Sequence, residues 1–318
     1  MAATGVNASA RRAFLAELID DAGLFPPAAL SMRDALAANA RSRASAHAWM
    51  LGRFIVPVAR LAELLSELPD ANEAFRLSAI VEGSQAAEQF GAALALQASC
   101  AGRIAIEAFE VRIPTLDEGD LHRTIDAIVA ELDASGVPPG TPAYLECGFP
   151  GDWRGYVETA HDALAGARAR SVHDIGAKVR CGGVTAESVP SVVQVAETIG
   201  SLRARGVPFK ATAGLHHPLR HHNAGAGFTM HGFLNVIGAA VLDHADALDA
   251  RERHRVVVEH AARSFRLDDA EFGWDGLAVD AEHVAAARRD FVRSYGSCSF
   301  TEPVDELIAL GMLEPVLA

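Results

Sequence analysis

Lysine is almost missing from this chain: of 318 residues only Lys178 and Lys210 carry an ammonium side chain, and the other basic side chains are arginine or histidine. Cysteine is scarce as well. The four present (Cys100, Cys147, Cys181 and Cys298) form no C-x-x-C pair, so the usual spacing for structural zinc or dithiol redox chemistry is absent and each is expected as a small buried hydrophobe. No apolar run reaches the roughly 18 to 20 residues that span a bilayer; the longest, Phe233 to Leu242, reads as a core helix. The opening stretch MAATGVNASARRAFLAELIDD has no sustained apolar segment and soon turns acidic, so it does not read as a secretory leader, and a cytoplasmic protein is expected. Positive charge is in deficit, with a formal net charge of −13 and a pI near 5.4. That excludes the broad phosphate-binding surface nucleic acid requires. Neither nucleic acid nor a membrane is therefore expected as a partner.

Apolar residues, by contrast, make up 50% of the chain and the mean hydropathy is +0.14, which is enough to bury a large core. Short β-rich runs alternate with helical stretches, the pattern of βα units around a parallel sheet. Seven strands are expected: Leu18 to Phe25, RFIVPV from Arg53, FRLSAIVEG from Phe75, RIAIEAFEVRIP from Arg103, PAYLECGF from Pro142, DIGAKVRCGG from Asp174 and PFKATAGLHHP from Pro208. Gly136 and Gly206 sit where helices should stop. An eighth strand lies at Ser264 to Leu267 or at Tyr295 to Phe300; the second choice leaves about 249–290 as a largely helical insertion. The expected fold is a single α/β domain over 1–318, a (β/α)8 TIM-type barrel with extra C-terminal helices.

In such a barrel the outward face of each strand is apolar because helices cover it, so polar residues in register point inward. Ile104, Ile106 and Ala108 then leave Glu107 inside on strand four. On strand five Leu145 and Cys147 leave Tyr144 and Glu146 inside. On strand six Ala177, Val179 and Cys181 leave Lys178 and Arg180, and on strand seven Phe209, Ala211 and Ala213 leave Lys210, Thr212 and His216. Glu82 ends strand three. Both lysines thus fall on inner faces, where an isolated charge costs several kcal/mol unless it is paired, wet or used chemically.

After strand seven, GLHHPLRHHNAGAGFTMHG gathers His216, His217, His221, His222 and His231 around Arg220. Arg220 is a candidate clamp for a carboxylate or phosphate, and a histidine a candidate proton shuttle. Adjacent histidines lack the spacing of H-E-x-x-H, NAGAGF is neither a P-loop nor a dinucleotide fingerprint, and no G-x-S-x-G elbow is present.

The stretches AKVRCGG, FKATAGL and IEAFE resemble class I aldolases of the deoxyribose-phosphate-aldolase kind, which carry a Schiff-base lysine on strand six, a second lysine on strand seven and an acid on strand four. The resemblance implies Lys178 as the imine-forming residue, Lys210 as its electrostatic partner and Glu107 as the acid. Val179-Arg180-Cys181 and Leu215-His216 depart from the family pattern and point away from a sugar phosphate.

The leading expectation is therefore a lyase that forms a Lys178 imine with a small oxo acid or other anionic oxo compound and makes or breaks a C–C bond. Lys210, Glu107 and Glu146 would be catalytic, with Arg180, His216, His217, Arg220 and Tyr144 binding substrate. It needs no cofactor, and a homo-oligomer is compatible with it. One alternative is Mg²⁺-assisted enolisation with Glu82, Glu107 and Glu146 as ligands. The other is a non-catalytic binding barrel in which the same charges simply pair.

Overall fold

In the computed structural model, which describes residues 9–69, 73–114 and 120–315, helix α1 (Ala10–Leu15) leads into β1 (Ile19–Asp21). Helix and strand then alternate through α2 (Met32–Arg43), β2 (Leu51–Pro57), α3 (Leu61–Glu67), β3 (Phe75–Glu82), α4 (Ala86–Ser99), β4 (Ile104–Arg112), α5 (Leu121–Ala134), β5 (Pro142–Glu146), α6 (Trp153–Arg170), β6 (Asp174–Arg180), α7 (Val192–Ala204) and β7 (Phe209–Thr212). A hairpin of β8 (His221–Asn223) and β9 (Phe228–Met230) follows, then α8 (Phe233–His244) and α9 (Ala250–Val258). The chain continues through β10 (Phe265–Leu267), β11 (Glu271–Trp274), β12 (Leu277–Asp280) and α10 (Ala281–Asp290) to β13 (Val292–Ser297) and α11 (Thr301–Ala309).

Eight of these strands close into a parallel barrel in the order β1, β13, β7, β6, β5, β4, β3, β2, which is the expected (β/α)8 TIM-type fold. The eighth barrel strand, β13, contains Tyr295 but starts three residues before it, at Val292. Ser264 to Leu267 is instead almost wholly β10, which joins β11 and β12 in a small antiparallel sheet. The span 249–290 is accordingly not purely helical: that sheet stands between α9 and α10.

Local chemistry explains the element ends. Ser31 and Ser191 accept from backbone N–H groups in the first turns of α2 and α7, and Gln194 completes a capping box at the latter. Gly136 and Gly206, with φ of +85° and +63°, follow the last turns of α5 and α7 in the left-handed conformation that stops a helix. Phe109 meets Phe90 of α4 edge-on at 5.1 Å, and Phe209 meets Phe291 at 5.2 Å, so outward strand residues are covered by helices as the alternation requires. No helix among the described residues is long and apolar enough to cross a membrane.

Strand β4 breaks the simple alternation. Leu77 of β3 pairs with Ile106, but the next residue, Ser78, pairs with Ala108, so Glu107 occupies a β-bulge. Beyond the bulge the parity is reset: Phe109 and Val111 face the helices, and Glu110 enters the barrel. Strand β7 is also shorter than expected. Positive φ at Ala213 (63°) and Gly214 (71°) turns the chain immediately after Thr212, which puts His216 and His217 in a loop.

Gly52 on β2 is where backbone and buried charge meet most closely. Asp20 Oδ1 accepts from the Arg53 backbone N–H at 2.7 Å, and a Cβ on Gly52 would land on that same oxygen. Gly52→Ala should therefore destabilise the barrel by about 1–3 kcal/mol in denaturant unfolding, as overpacked sites do. An unchanged midpoint would show that Asp20 can move without cost.

Candidate active site

Strand direction gathers the carboxyl ends of all eight barrel strands at one mouth. There a cavity of about 770 Å³ opens, lined among others by Glu110, Arg112, Lys178, Arg180, His216 and Cys298. Barrel enzymes place their active sites at this end.

Below and along one side of the cavity runs a line of alternating charges. Ser294 Oγ donates to Asp20 Oδ2 (2.7 Å), and Lys210 Nζ donates to Asp20 Oδ2 (2.7 Å) and to Glu110 Oε1 (2.6 Å), which Ser78 Oγ also reaches at 2.8 Å. The other Glu110 oxygen, Oε2, lies 3.0 Å from Lys178 Nζ. Lys178 also meets Glu146 Oε2 at 2.8 Å, and Glu146 Oε1 accepts from Arg180 Nε at 3.0 Å. Asp20, Lys210, Glu110, Lys178, Glu146 and Arg180 thus form one chain from core to mouth. Lys178 and Lys210 are register partners on adjacent strands, and Glu146 is the partner of Lys178 on the other side.

The two lysines differ. Lys210 is 1% exposed, makes two aligned hydrogen bonds to carboxylates and sits 6.0 Å above the Tyr144 ring. Burial works to lower its pKa, but Asp20 and Glu110 outweigh it and raise it above the ordinary value, so Lys210 is a locked cation. Lys178 is 5% exposed and lines the cavity floor. Its contacts are ion pairs without hydrogen-bond alignment, since Oε2 of Glu110 and of Glu146 have no hydrogen-bond partner.

The carboxylates respond to this setting. Burial would raise Glu110, yet Lys210 and Lys178 override it and hold the group at about 2. Glu146 is likewise lowered, burial being outweighed by Lys178 and Arg180, and Asp20 is lowered by Lys210 and Arg53 against the same penalty.

Several sequence expectations need correction. Glu107 is not at the lysines: caught in the bulge at the amino-terminal mouth, it pairs with Arg53 Nε (3.1 Å) and Arg76 Nε (2.8 Å). Glu110 holds the place expected of it. Glu82 pairs with Arg112 at 2.9 Å, so Glu82, Glu107 and Glu146 are not brought together as magnesium ligands. Among the described residues no group of three or more His, Cys, Asp or Glu side chains converges as metal ligands would. Tyr144 packs below Lys210 and does not line the cavity. Arg220 is drawn away because the backbone at His217 and Pro218 is tied to the start of α8. Its own N–H donates to Asn235 Oδ1 (2.7 Å), and its guanidinium lies 3.5 Å from His231 Nδ1.

Lys178, Arg180, His216 and His217 do reach the cavity. His216 Nδ1 lies 3.3 Å from Ser297 Oγ and 3.4 Å from Glu302, and its Nε2 is 3.6 Å from Cys298 Sγ. Burial, more than Glu302 opposes it, lowers the His216 pKa, so the ring is neutral near pH 7. His217 is bonded to Glu306 and lies edge-on to His221 at 4.0 Å. The residues that sequence reasoning missed are Asp20, Glu110, Ser78, Ser294, Arg112 and Cys298. Asp20 stands in LIDDAGLF, where an acid inside an apolar strand was a readable signal; Glu110 was hidden by the bulge.

Compared with known proteins, the chain matches no family model, no curated protein and no solved structure.

The charge chain generates a stability prediction. A carboxylate whose pKa is lowered by folding contributes stability above its unfolded value, and that contribution is lost as pH falls toward the folded value. For Glu110 the window runs from its ordinary 4.5 down to about 2. Glu110→Gln, which leaves two buried ammonium groups around a neutral amide, should cost about 3–5 kcal/mol at pH 7. Its stability should fall less steeply than wild type across that window. Parallel acid titrations of the two proteins would refute the pairing.

Proposed function

We propose that the protein is an aldolase-type lyase in which Lys178 attacks the carbonyl of a small oxo compound and the resulting imine serves as electron sink for making or breaking a C–C bond. The observation that carries this reading is the position of Lys178: it is the lysine on the cavity floor, flanked by Glu110 and Glu146, with the fixed charge of Lys210 on the far side of Glu110. The resemblance of AKVRCGG and FKATAGL to the aldolase strands supports the same assignment, with Glu110 in the acid's role on strand four.

The chemistry follows from those groups. Lys178 must first shed a proton, and Glu146 is the nearest acceptor at 2.8 Å. While Arg180 holds Glu146 the carboxylate is a weak base; a substrate anion that engages Arg180 removes that counter-cation and raises the basicity of Glu146. The freed Nζ lone pair then forms the C–N bond, and the carbonyl oxygen, after taking up protons, leaves as water. In the cleavage direction the electron pair of the adjacent C–C bond moves onto the protonated imine, giving an enamine, while the released fragment's hydroxyl proton passes to a base. Protonation of the enamine carbon and hydrolysis of the imine return the free lysine.

The pairing of every charge in the line also favours a second reading, a barrel that binds an oxo compound without turning it over. One experiment separates the two. Because only Lys178, Lys210 and the amino terminus offer amines, borohydride reduction with candidate 2-oxo acids and aldehydes, followed by peptide mapping, should give a reduced adduct on Lys178 and none on Lys210. Lys178→Ala should abolish it. Absence of any Lys178 adduct with a compound that demonstrably binds would leave only the binding barrel.

A further inference from the structure

Strand order divides the cavity into two chemically different halves. In an eight-stranded barrel a strand lies opposite the one four places away, so β6 faces β2 and β7 faces β3. The arc β4, β5, β6 supplies Glu110, Arg112, Lys178 and Arg180 to the lining, with Glu146 of β5 behind them, paired with Lys178 and Arg180. The opposite side supplies Ile55 of β2 and, from the loop after β1, Phe25, Pro26 and Pro27, while Ile80 of β3, the register partner of Glu110, stands where the two halves meet. At β13 the inner position is Gly296, where a Cβ would come within 3.0 Å of Ile55 Cδ1, so the chain leaves this half open.

On the polar arc two guanidinium groups stand one layer above the lysine. Arg112 is two residues beyond Glu110 on β4, and Arg180 is two residues beyond Lys178 on β6, a rise of roughly 6.6 Å toward the mouth. Arg112 is anchored through Nη1 to Glu82 at 2.9 Å, and Arg180 through Nε to Glu146 at 3.0 Å with a longer bond from Nη1 to the Gly182 carbonyl at 3.5 Å. Each keeps donors for a ligand: their side chains are 42% and 45% exposed, and both line the cavity. A planar fork with spare N–H groups is suited to a carboxylate. At about 770 Å³ the cavity also has the size of drug-like ligand sites, far more than a three-carbon oxo acid fills.

We infer that the site takes a 2-oxo carboxylate with an extended apolar tail: the carbonyl at Lys178, the carboxylate between Arg112 and Arg180, and the tail against Ile55, Ile80 and Phe25. This rests on the imine reading for the carbonyl alone. Arg112 becomes a binding residue, and the tail decides which oxo acids are accepted.

The test uses four ketones in which carboxylate and tail vary separately: pyruvate, acetone, 4-phenyl-2-oxobutanoate and 4-phenyl-2-butanone. Each is trapped with borohydride on the full-length protein and the Lys178 adduct is quantified. In wild type the phenyl oxo acid should be trapped about tenfold more efficiently than pyruvate. Arg112→Met should reduce trapping of both acids about tenfold and leave both simple ketones unchanged, as loss of a charge-assisted hydrogen bond requires. Ile80→Phe should remove the phenyl compounds' advantage and spare the small ones. Arg112→Lys, which keeps the charge without the fork, should fall between wild type and Arg112→Met and serves if the latter does not fold.

Equal losses for acids and ketones in the Arg112 variants, or no gain from the phenyl tail, would overturn the inference. Failure of all four compounds to label Lys178 would overturn the imine reading instead. Calorimetry with 4-phenylbutanoate, which has the carboxylate and tail but no carbonyl, then decides the subsite. Binding that weakens about tenfold in the Arg112 variant sustains it, and no binding to wild type ends it.

Discussion

A carboxylate wedged between two ammonium groups organises this barrel. Glu110 gives one oxygen to Lys210 and the other to Lys178, and through them it joins Asp20 at the core to Arg180 at the mouth. Six charges of alternating sign in an apolar interior persist because each inner member has a neighbour of opposite sign on both sides, while Asp20 at the core end also accepts from Ser294 and the Arg53 backbone N–H and Arg180 at the other end meets the open cavity. The two lysines could not approach so closely without that wedge, since two like charges in a low-dielectric interior repel strongly. The polar interior therefore behaves as one unit whose members constrain one another.

That unit depends on the bulge in β4. Without it the strand would present Glu107, and Phe109 and Val111 would change places with their neighbours, putting an aromatic ring in the barrel and a carboxylate under a helix. The extra residue lets the amino-terminal half of the strand serve the Arg53 and Arg76 pairs below while the other half delivers Glu110 to the lysines. One residue of slack thus separates a structural ion-pair layer from the layer that faces the cavity, in keeping with the frequent siting of bulges beside functional centres.

What the sequence makes legible follows the same divide. Strands β5, β6 and β7 keep strict period-two alternation, so Tyr144, Glu146, Lys178, Arg180 and Lys210 could be assigned to the inner face from residue type alone, and each is there. The closed barrel could be read from the recurrence of βα units. The β4 bulge has no compositional marker: IEAFEV offers two glutamates at odd spacing, and either fits an alternating strand. Loop residues were still less readable. Nothing in LHHPLRHH shows that backbone bonds from Phe233 and Leu234 to His217 and Pro218 turn Arg220 away from the cavity. The glycine-rich stretch NAGAGF tips the β8–β9 hairpin, whose Asn223, Phe228 and Met230 form part of the cavity wall.

The scarcity of lysine acquires a physical meaning beside the abundance of arginine. A guanidinium stays charged under any protein condition and cannot act as a nucleophile, so arginines can pair at the surface and at the barrel's lower mouth without introducing reactive amines. Lysine is the cation that can give up its proton. Confining it to two adjacent inner positions and then fixing Lys210 between Asp20 and Glu110 leaves Lys178 as the side-chain amine in contact with the cavity. Under the imine reading the selectivity of the site for one amine follows from this arrangement: the deeper lysine is held charged between two carboxylates, and the shallower one lines the cavity. Arg112 and Arg180 add what a lysine could not in that position, permanent charge with planar donors, so the groups that hold an anion remain chemically inert beside the group that reacts.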